Sequence, residues 1–265
     1  MSEAAHIAGS AVPCTRASLA RDLRALGVPE GGVLMVHSSL SALGWVAGGP
    51  VAVIQALLDA LGPAGTLTMP AFTGDLTEPA HWQSPPVPEA WWPVIRAETP
   101  AFDPALTPTR MMGRIAETFR SWPGARRSDH PHVSVAALGL QADYLTAGHA
   151  LEDSMGESSP FARLYELDAS VLLLGTERNS SLHLAEHRAG VRGRLTQGAP
   201  VMQGGGQVWQ TFEDLDYQDD SFPAVKAAFE ATGAVKVGRV GSATAKLMRQ
   251  RELVDFAAAW FRAHP

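Results

Sequence analysis

The sequence predicts an α/β fold: a single layered α/β/α domain around a mainly parallel mixed sheet, with a long irregular loop and a C-terminal hairpin and helices. Apolar runs at 33–36, followed by His37, and at 171–174 are typical of strands that are buried on both faces of a sheet. Segments with apolar residues at helical spacing lie between such runs. A chain of 265 residues, 46% of them hydrophobic, can bury one large core, so we expect one domain.

The first part of the chain is predicted to alternate helices and strands behind a flexible tail at residues 1–12. Thr15 is a good N-cap, and leucines at helical spacing follow it until Gly27, a residue typical of helix ends. The predicted elements are a helix between Thr15 and Gly27, a strand over 33–37, a helix from near Pro50 with Val51, Ile54, Leu57 and Leu58 as its apolar face, and a strand over 66–70.

The second part continues the alternation and ends in a hairpin and helices. Glycines at 204–206 between two alternating segments are typical of a hairpin turn. The predicted elements are a helix over 109–122, a strand over 133–138, a short helix over 161–166, a strand over 171–174, a helix capped by Ser180, the hairpin, a helix from Phe222, a short strand around 235–237, and a closing helix with Leu253, Phe256, Ala257 and Trp260 as its buried stripe.

The long loop over 71–108 is rich in proline and tryptophan, a composition that favours an ordered lid over a solvated linker. Its carboxylates include Asp75 and Asp103, and five more carboxylates lie in the segment 213–220. Crowded carboxylates repel one another unless cations pair them, so both segments are candidates for contact with a cationic ligand. Plain solvation of these side chains is the alternative.

Composition limits the classes of partner and compartment. The net charge of −6 with only three lysines argues against a nucleic-acid surface and favours cationic ligands. We find no signal peptide or apolar span in the sequence, so we expect no membrane partner. Cys14 is the one cysteine, which rules out an internal disulfide and is consistent with the reducing cytoplasm, where we expect the protein to act.

The segment 170–190 carries the strongest chemical signal, because a buried strand is followed there by a polar loop and a helix with a histidine near its start. With Ser180 as the N-cap, His183 falls in the first helical turn. The positive end of a helix disfavours imidazolium, so His183 is predicted to be a neutral base. Glu186, at position i+3, can hydrogen-bond its ring. The alternative is a capping or surface histidine.

His183, Glu186 and His187 also match H-x-x-E-H, the inverted zinc-hydrolase pattern. A zinc site would need a third ligand from a later helix, such as Glu252 or Asp255. We weigh this reading against the capped loop of an α/β domain and expect no metal.

Two further segments are candidates by position. His37, Ser38 and Ser39 follow a buried strand, and ligands of open α/β sheets bind at the carboxyl ends of strands. Arg126 and Arg127 precede another strand, and paired guanidinium groups suit phosphate. Surface arginines paired with nearby acids are the alternative.

Taken together, several motifs resemble the aminoglycoside 3-N-acetyltransferases, an antibiotic N-acetyltransferase family outside the GNAT superfamily. The resemblance extends from about Val33 to the C-terminus. It rests on HSSL at 37 followed by Gly48 and Gly49, GPAGTL at 62, FDPALTPT at 102, GARRSDHP at 124, ESSPFARL at 157, and VLLLG at 171 followed by SLHLAE at 181. It implies one antibiotic N-acetyltransferase-like domain over 1–265.

The resemblance implies acetyl transfer from acetyl-CoA, without a metal, to the 3-amino group of a 2-deoxystreptamine aminoglycoside, a polycationic substrate, and hence antibiotic resistance. His183 looks like the catalytic base, with Glu186 and His37 as further catalytic residues. The residues expected at the coenzyme are His37, Ser38, Ser39, Leu40, Thr109, Arg127 and Ser128, and those expected at the drug are Asp75, Asp103, Glu213 and Asp216. Acetylation of a different amine, zinc hydrolysis and non-catalytic sequestration are the alternatives.

Overall fold

The computed structural model describes residue 7 and residues 12–264. The predicted tail at 1–12 therefore lies outside the described residues, except for Ile7 and Val12, and the domain limits of 1–265 stay a prediction. The helices are α1 Arg16–Leu26, α2 Gly49–Leu61, α3 Trp92–Glu98, α4 Gly113–Arg120, α5 Ala142–Thr146, α6 Pro160–Glu166, α7 Ser181–Ala189, α8 Phe222–Glu230 and α9 Gln250–Ala263. The strands are β1 Val33–Ser38, β2 Thr66–Pro70, β3 Arg126–Arg127, β4 Val135–Gly139, β5 Ser170–Leu174, β6 Arg194–Gln203, β7 Gly206–Leu215, β8 Lys236–Val240 and β9 Ala243–Arg249.

A mixed sheet in the order β3-β4-β2-β1-β5-β9-β8 forms the middle layer. Its three central strands, β2, β1 and β5, run parallel, and the flanking strands pair antiparallel. All five residues of β5 are buried, as the apolar run predicts. The predicted fold class is confirmed.

The alternation of side chains along the central strands separates two hydrophobic cores. Leu34 and Val36 of β1 pack with α1, α2 and α4 on one face. Met35 of the same strand packs with α6, α7, α8 and α9 on the other face. Helices therefore cover both faces, which explains why the central strands contain no Asp, Glu, Lys or Arg.

Two predicted helices differ from the structure. The helix expected over 109–122 is shorter and runs from Gly113 to Arg120. Met111, with a φ of 58°, cannot lie inside an α-helix, and Gly113, with a φ of 82°, is tolerated only as the first residue. The backbone N–H and the hydroxyl of Thr109 instead donate to Glu117. In α2, Val51 was expected on the apolar face but is 42% exposed, since the helix is turned toward its alanines.

The chain contains a second hairpin that the sequence analysis missed. One short strand was expected around 235–237, whereas β8 and β9 form a hairpin, and β9 pairs antiparallel with β5. Ala243 and Ala245 are fully packed in β9. Alanines suit a helix as well as a strand, so this segment lacked a distinctive apolar pattern.

The loop over 71–108 contains α3 and lies against the predicted hairpin, which the structure forms from β6 and β7. The Phe102 N–H donates to the Pro200 carbonyl at 3.0 Å, and the Gln207 amide donates to the Thr99 carbonyl at 2.7 Å. In the described part of the chain, no helix is long and apolar enough to cross a membrane. The cytoplasmic location stays a prediction.

Candidate active site

A cavity of about 1060 Å³ opens at the carboxyl ends of β1 and β5. Because these neighbouring strands are parallel, the loops that follow them meet at one edge of the sheet. The loop before α4 and the start of α8 complete the wall. Its polar side chains include His37, Ser38, Arg114, Arg178, His183 and Asp219.

His183 is in the first turn of α7 and forms part of the cavity wall. The helix begins after Ser180, as predicted, but Asn179 caps it: its Oδ1 accepts the Ser181 N–H at 3.1 Å. The imidazole is 16% exposed. It packs against the rings of Phe222 at 4.8 Å and Tyr217 at 5.3 Å, so its orientation is held on two sides.

Glu186 lies behind His183 and is fully buried. Its Oε2 atom is 2.7 Å from His183 Nδ1, which is the predicted i+3 hydrogen bond. Its Oε1 atom accepts from Arg192 Nε at 2.7 Å. Arginine is charged at all ordinary pH values, so the carboxylate is ionised and can only accept. The hydrogen on His183 therefore lies on Nδ1, and Nε2 carries the lone pair of a neutral ring.

His37 ends β1 in the same wall and is 4% exposed. Burial, with added repulsion from His183 and Arg178, lowers the pKa of His37 to about 3. The N–H of Ser180 approaches its Nε2 atom at 3.4 Å. A ring with so low a pKa is a poor base near neutral pH, and His183 is the other histidine of this wall.

The H-x-x-E-H residues do not converge on one point. His183 Nδ1 faces Glu186, whereas His187 Nδ1 is 3.5 Å from Asp153. Both oxygens of Glu186 are already engaged. Within residues 12–264 no three His, Cys, Asp or Glu side chains gather in a group that could hold a metal ion. The zinc reading requires a convergence that this geometry does not provide.

Comparison with known proteins then decides the family. The sequence model of the aminoglycoside 3-N-acetyltransferase family matches residues 35–262. The chain belongs to the aminoglycoside 3-N-acetyltransferase family. Its members are acyltransferases, so the chain is an enzyme, and the resemblance seen in the sequence is confirmed.

Relatives match over nearly their whole length. The chain is 40% identical to aminoglycoside N(3)-acetyltransferase VII of Streptomyces paromomycinus, covering 98% of this chain and 96% of that protein. It is 45% identical to the prophage-derived aminoglycoside N(3')-acetyltransferase-like protein YokD of Bacillus subtilis, covering 94% and 93%.

Solved structures are also similar. The crystal structure of YokD superposes with a TM-score of 0.93 at 43% identity, over 96% of this chain and 95% of that one. A binary complex of AAC-IIIb with CoASH gives 0.85 at 32% identity, over 96% and 98%. AAC-VIa bound to sisomicin gives 0.83 at 31% identity, over 96% and 99%.

Of the residues that the family resemblance implied at the coenzyme, His37, Ser38, Ser39 and Leu40 line the cavity. The Ser39 N–H, however, donates to the Leu174 carbonyl at 2.9 Å. This N–H group is therefore not free to stabilise an oxyanion. Thr109 borders a smaller groove that adjoins the cavity.

Arg127 and Ser128 do not reach the cavity, contrary to expectation. The Arg127 guanidinium donates to Ser134 Oγ at 2.9 Å and to the carbonyls of Ala71, Pro104 and Thr107. The fully buried Ser128 hydroxyl bonds His149 Nδ1 at 2.9 Å and accepts the Val135 N–H at 2.9 Å. The Arg127 side chain therefore holds the long loop in place, whereas the Ser128 hydroxyl joins β4 to His149. The neighbouring Arg126 pairs with Asp143 on the surface.

The four carboxylates expected to bind the drug also lie outside the cavity. Each already has a partner: Asp75 pairs with Arg110, Asp103 accepts the N–H groups of Ala105 and Leu106, Glu213 accepts from Thr196, and Asp216 accepts from Gln218. The carboxylates that do line the wall are Asp219, which belongs to the acidic segment singled out in the sequence, and Glu177. Glu177 pairs with Lys246 at 2.8 Å and with Lys226.

The sequence analysis also missed several cavity and supporting residues. Arg114, Arg178 and Lys226 bring positive charge to the wall from three separate segments. Nothing in the local sequence marks them, because their proximity is created by the fold. Arg192 could more easily have been predicted as a partner of Glu186, because it lies only six positions further along the chain.

Proposed function

We propose that this enzyme transfers the acetyl group of acetyl-CoA to the 3-amino group of a 2-deoxystreptamine aminoglycoside, and so confers resistance to the drug. The observation that carries the proposal is the His183–Glu186 pair in the cavity wall, with the imidazole lone pair on Nε2. Family membership supports the reaction class.

The reaction needs no acyl-enzyme. The amine nitrogen attacks the thioester carbonyl and forms the C–N bond while His183 Nε2 takes its proton. Glu186 stabilises the imidazolium through Nδ1, at 2.7 Å. The tetrahedral intermediate then expels the sulfur of CoA, and the proton on His183 passes to that thiolate. Amide and free coenzyme thiol leave, and the imidazole is neutral again.

The charges of the wall support a polyanionic co-substrate. Arg114, Arg178 and Lys226 supply cations that suit the phosphates of the coenzyme. Ser38 to Leu40 follow β1 at the same edge and suit its thioester end. On the acceptor side, Asp219 and the net charge of −6 favour a polycation.

Acetyl transfer to a different amine is the second candidate. The four carboxylates expected to hold the drug lie outside the cavity, so its wall offers fewer acidic groups than a polycation site was expected to have. Release of CoA with small biosynthetic amines, and none with aminoglycosides, would favour this candidate.

The test is CoA release from acetyl-CoA with gentamicin-like, kanamycin-like and apramycin-like drugs. We expect His183→Asn to lower kcat by about 10²- to 10⁴-fold, the usual contribution of a general base. His187→Asn is the matched control, one turn further along α7 with its ring toward Asp153, and we expect it to stay near the wild-type rate.

Wild-type rates in His183→Asn would overturn the proposal. An equal loss in His187→Asn would revive the zinc reading, in which both imidazoles are ligands. Turnover beyond one equivalent excludes sequestration.

A further inference from the structure

Arg192 follows α7 in the connection to β6 and has no place in the cavity wall, yet it contacts the group behind the catalytic base. Its Nε atom donates to Glu186 Oε1 at 2.7 Å, while Oε2 of the same carboxylate meets His183 Nδ1 at 2.7 Å. The Arg192 side chain is mostly covered, and Glu186 has no exposed surface. The three side chains form a linear chain from guanidinium to imidazole.

We propose that Arg192 is a positioning residue, which keeps the Glu186 carboxylate ionised and directed at His183. A carboxylate with no access to water is costly unless a cation and hydrogen bonds compensate it. Within residues 12–264, the hydrogen-bond partners of Glu186 other than Arg192 are the His183 ring and, in a longer contact at 3.4 Å, the Gln218 N–H. Arg192 is therefore the group that supplies the compensating charge. This inference rests on the proposed function for its catalytic consequence.

A second contact of Arg192 supports the same role. Its Nη2 atom is 3.4 Å from Ser221 Oγ, at the N-cap of α8. The next residue, Phe222, packs on the His183 ring. Arg192 thus joins the carboxylate that holds one side of the imidazole to the helix start that holds the other.

Removing this cation should change the protonation of the Glu186–His183 pair in a predictable direction. Without Arg192, an ionised Glu186 is poorly compensated, and the Glu186–His183 pair retains a proton more strongly. His183 is then neutral only at higher pH. The substitution leaves the other charged and titratable groups around the pair unchanged. His37 from β1 interacts with His183, Tyr217 after β7 contacts its ring, and Arg178, Asp219 and Lys226 line the same cavity.

The test is the pH profile of kcat and kcat/KM for Arg192→Gln and Arg192→Lys. For Arg192→Gln we expect a kcat at neutral pH reduced at least tenfold and an acidic limb displaced upward by about one pH unit, the usual effect of one close opposite charge. Arg192→Lys restores the charge, so its limb returns toward the wild-type position. The matched control is Arg188→Gln, which removes a 2.7 Å pair with Glu157 in the same segment and leaves the profile unchanged.

An equal loss at all pH values with the limb unmoved, or a change in KM alone, would overturn the inference. A second readout is the titration of the His183 ring by NMR in the folded proteins, which does not require activity. If His183→Asn stays active, the proposed function fails, whereas the inference about Arg192 fails only if the His183 titration is the same with and without the arginine. If Arg192→Gln does not fold, Arg192→Met, which also removes the charge but keeps an unbranched side chain, takes its place in the NMR comparison with wild type and Arg188→Gln. An upward displacement of the His183 titration in Arg192→Met alone supports the inference, and an unmoved titration contradicts it.

Discussion

At the scale of single residues, His37 and His183 differ in chemistry because they differ in surroundings. The ring of His37 is buried beside positive charge, and its pKa falls to about 3. The ring of His183 meets the cavity on one side and an ionised carboxylate on the other. Histidine is therefore an uncharged part of the cavity wall at position 37 and the proposed base at position 183.

Ser128 is the residue whose expected and observed surroundings differ most. We expect Ser128→Ala to lower the free energy of unfolding by about 1–3 kcal/mol, because His149 Nδ1 and the Val135 N–H would lose their buried partner. We expect KM for acetyl-CoA to stay unchanged, since the hydroxyl does not reach the cavity. Urea unfolding and steady-state kinetics measure the two quantities.

The control is Ser121→Ala, where the lost hydroxyl is exposed and its bond to the Thr118 carbonyl lies at the surface. We expect a change in stability within about 0.5 kcal/mol there. If Ser128→Ala raised KM for acetyl-CoA and left stability intact, the coenzyme role implied by the family resemblance would be right after all.

At the scale of elements, the β6–β7 hairpin is held to the long loop through a buried histidine cluster. His132 Nε2 is 3.1 Å from the Gly198 carbonyl of β6 and 3.2 Å from the Leu76 carbonyl of the loop. The rings of His130 and His149 are in contact, with centroids 4.6 Å apart and planes tilted by 39°. Burial lowers the pKa of His132 and of His149 to about 4, and that of His130 well below its ordinary value.

These shifts predict that acid destabilises the fold. Below pH 6.5 the histidines of the unfolded chain bind protons, whereas those of the folded cluster stay neutral. The free energy of unfolding therefore falls as the pH is lowered from 6.5 to about 4. The full effect for His132 is on the order of 3 kcal/mol, from 1.36 kcal/mol per pKa unit. Urea unfolding at pH 7, 6 and 5 measures the slope.

His132→Gln keeps amide donors for the two carbonyls but cannot bind a proton. We expect its stability to fall less steeply with acid than that of the wild type, while the exposed His81→Gln control keeps the wild-type slope. Identical slopes in wild type and His132→Gln would show that the cluster does not carry the acid sensitivity.

At the scale of the whole molecule, the fold brings cations from distant segments to the cavity of a chain that is negatively charged overall. Cations reach the cavity wall from α4, from the loop after β5 and from α8, within a chain whose net charge is −6. Such an arrangement can accept an anionic co-substrate locally while the overall field attracts a polycation.

This arrangement predicts salt-sensitive capture of the acceptor. Raising the ionic strength from about 0.01 M to about 0.1 M shortens the Debye length from about 30 Å to about 10 Å. At saturating acetyl-CoA, we expect kcat/KM for an aminoglycoside to fall severalfold, and more steeply for drugs with more amino groups. Rates that are unaffected by salt, or equally affected for all drugs, would contradict long-range attraction.

The sequence by itself determined the elements whose signals are local. Apolar runs predicted the buried strands, and three glycines predicted the hairpin turn. The Thr15 cap and Gly27 predicted the two ends of α1. The His183–Glu186 pair was predictable for the same reason, because three positions on one helix are neighbours wherever the helix lies. The family resemblance added the reaction class.

Only the tertiary structure decided which distant side chains meet. The sequence could not tell that Arg127 would hold the long loop or that Ser128 would bond His149. Nor could it tell that β9 would pair with β5, or that Arg114, Arg178 and Asp219 would share a wall. Nor could it assign Arg192 to Glu186. The residues next to a charged side chain in the sequence do not indicate its partner, because the partner comes from a distant segment. Packing and burial bring the two together only when the sheet and its helices assemble.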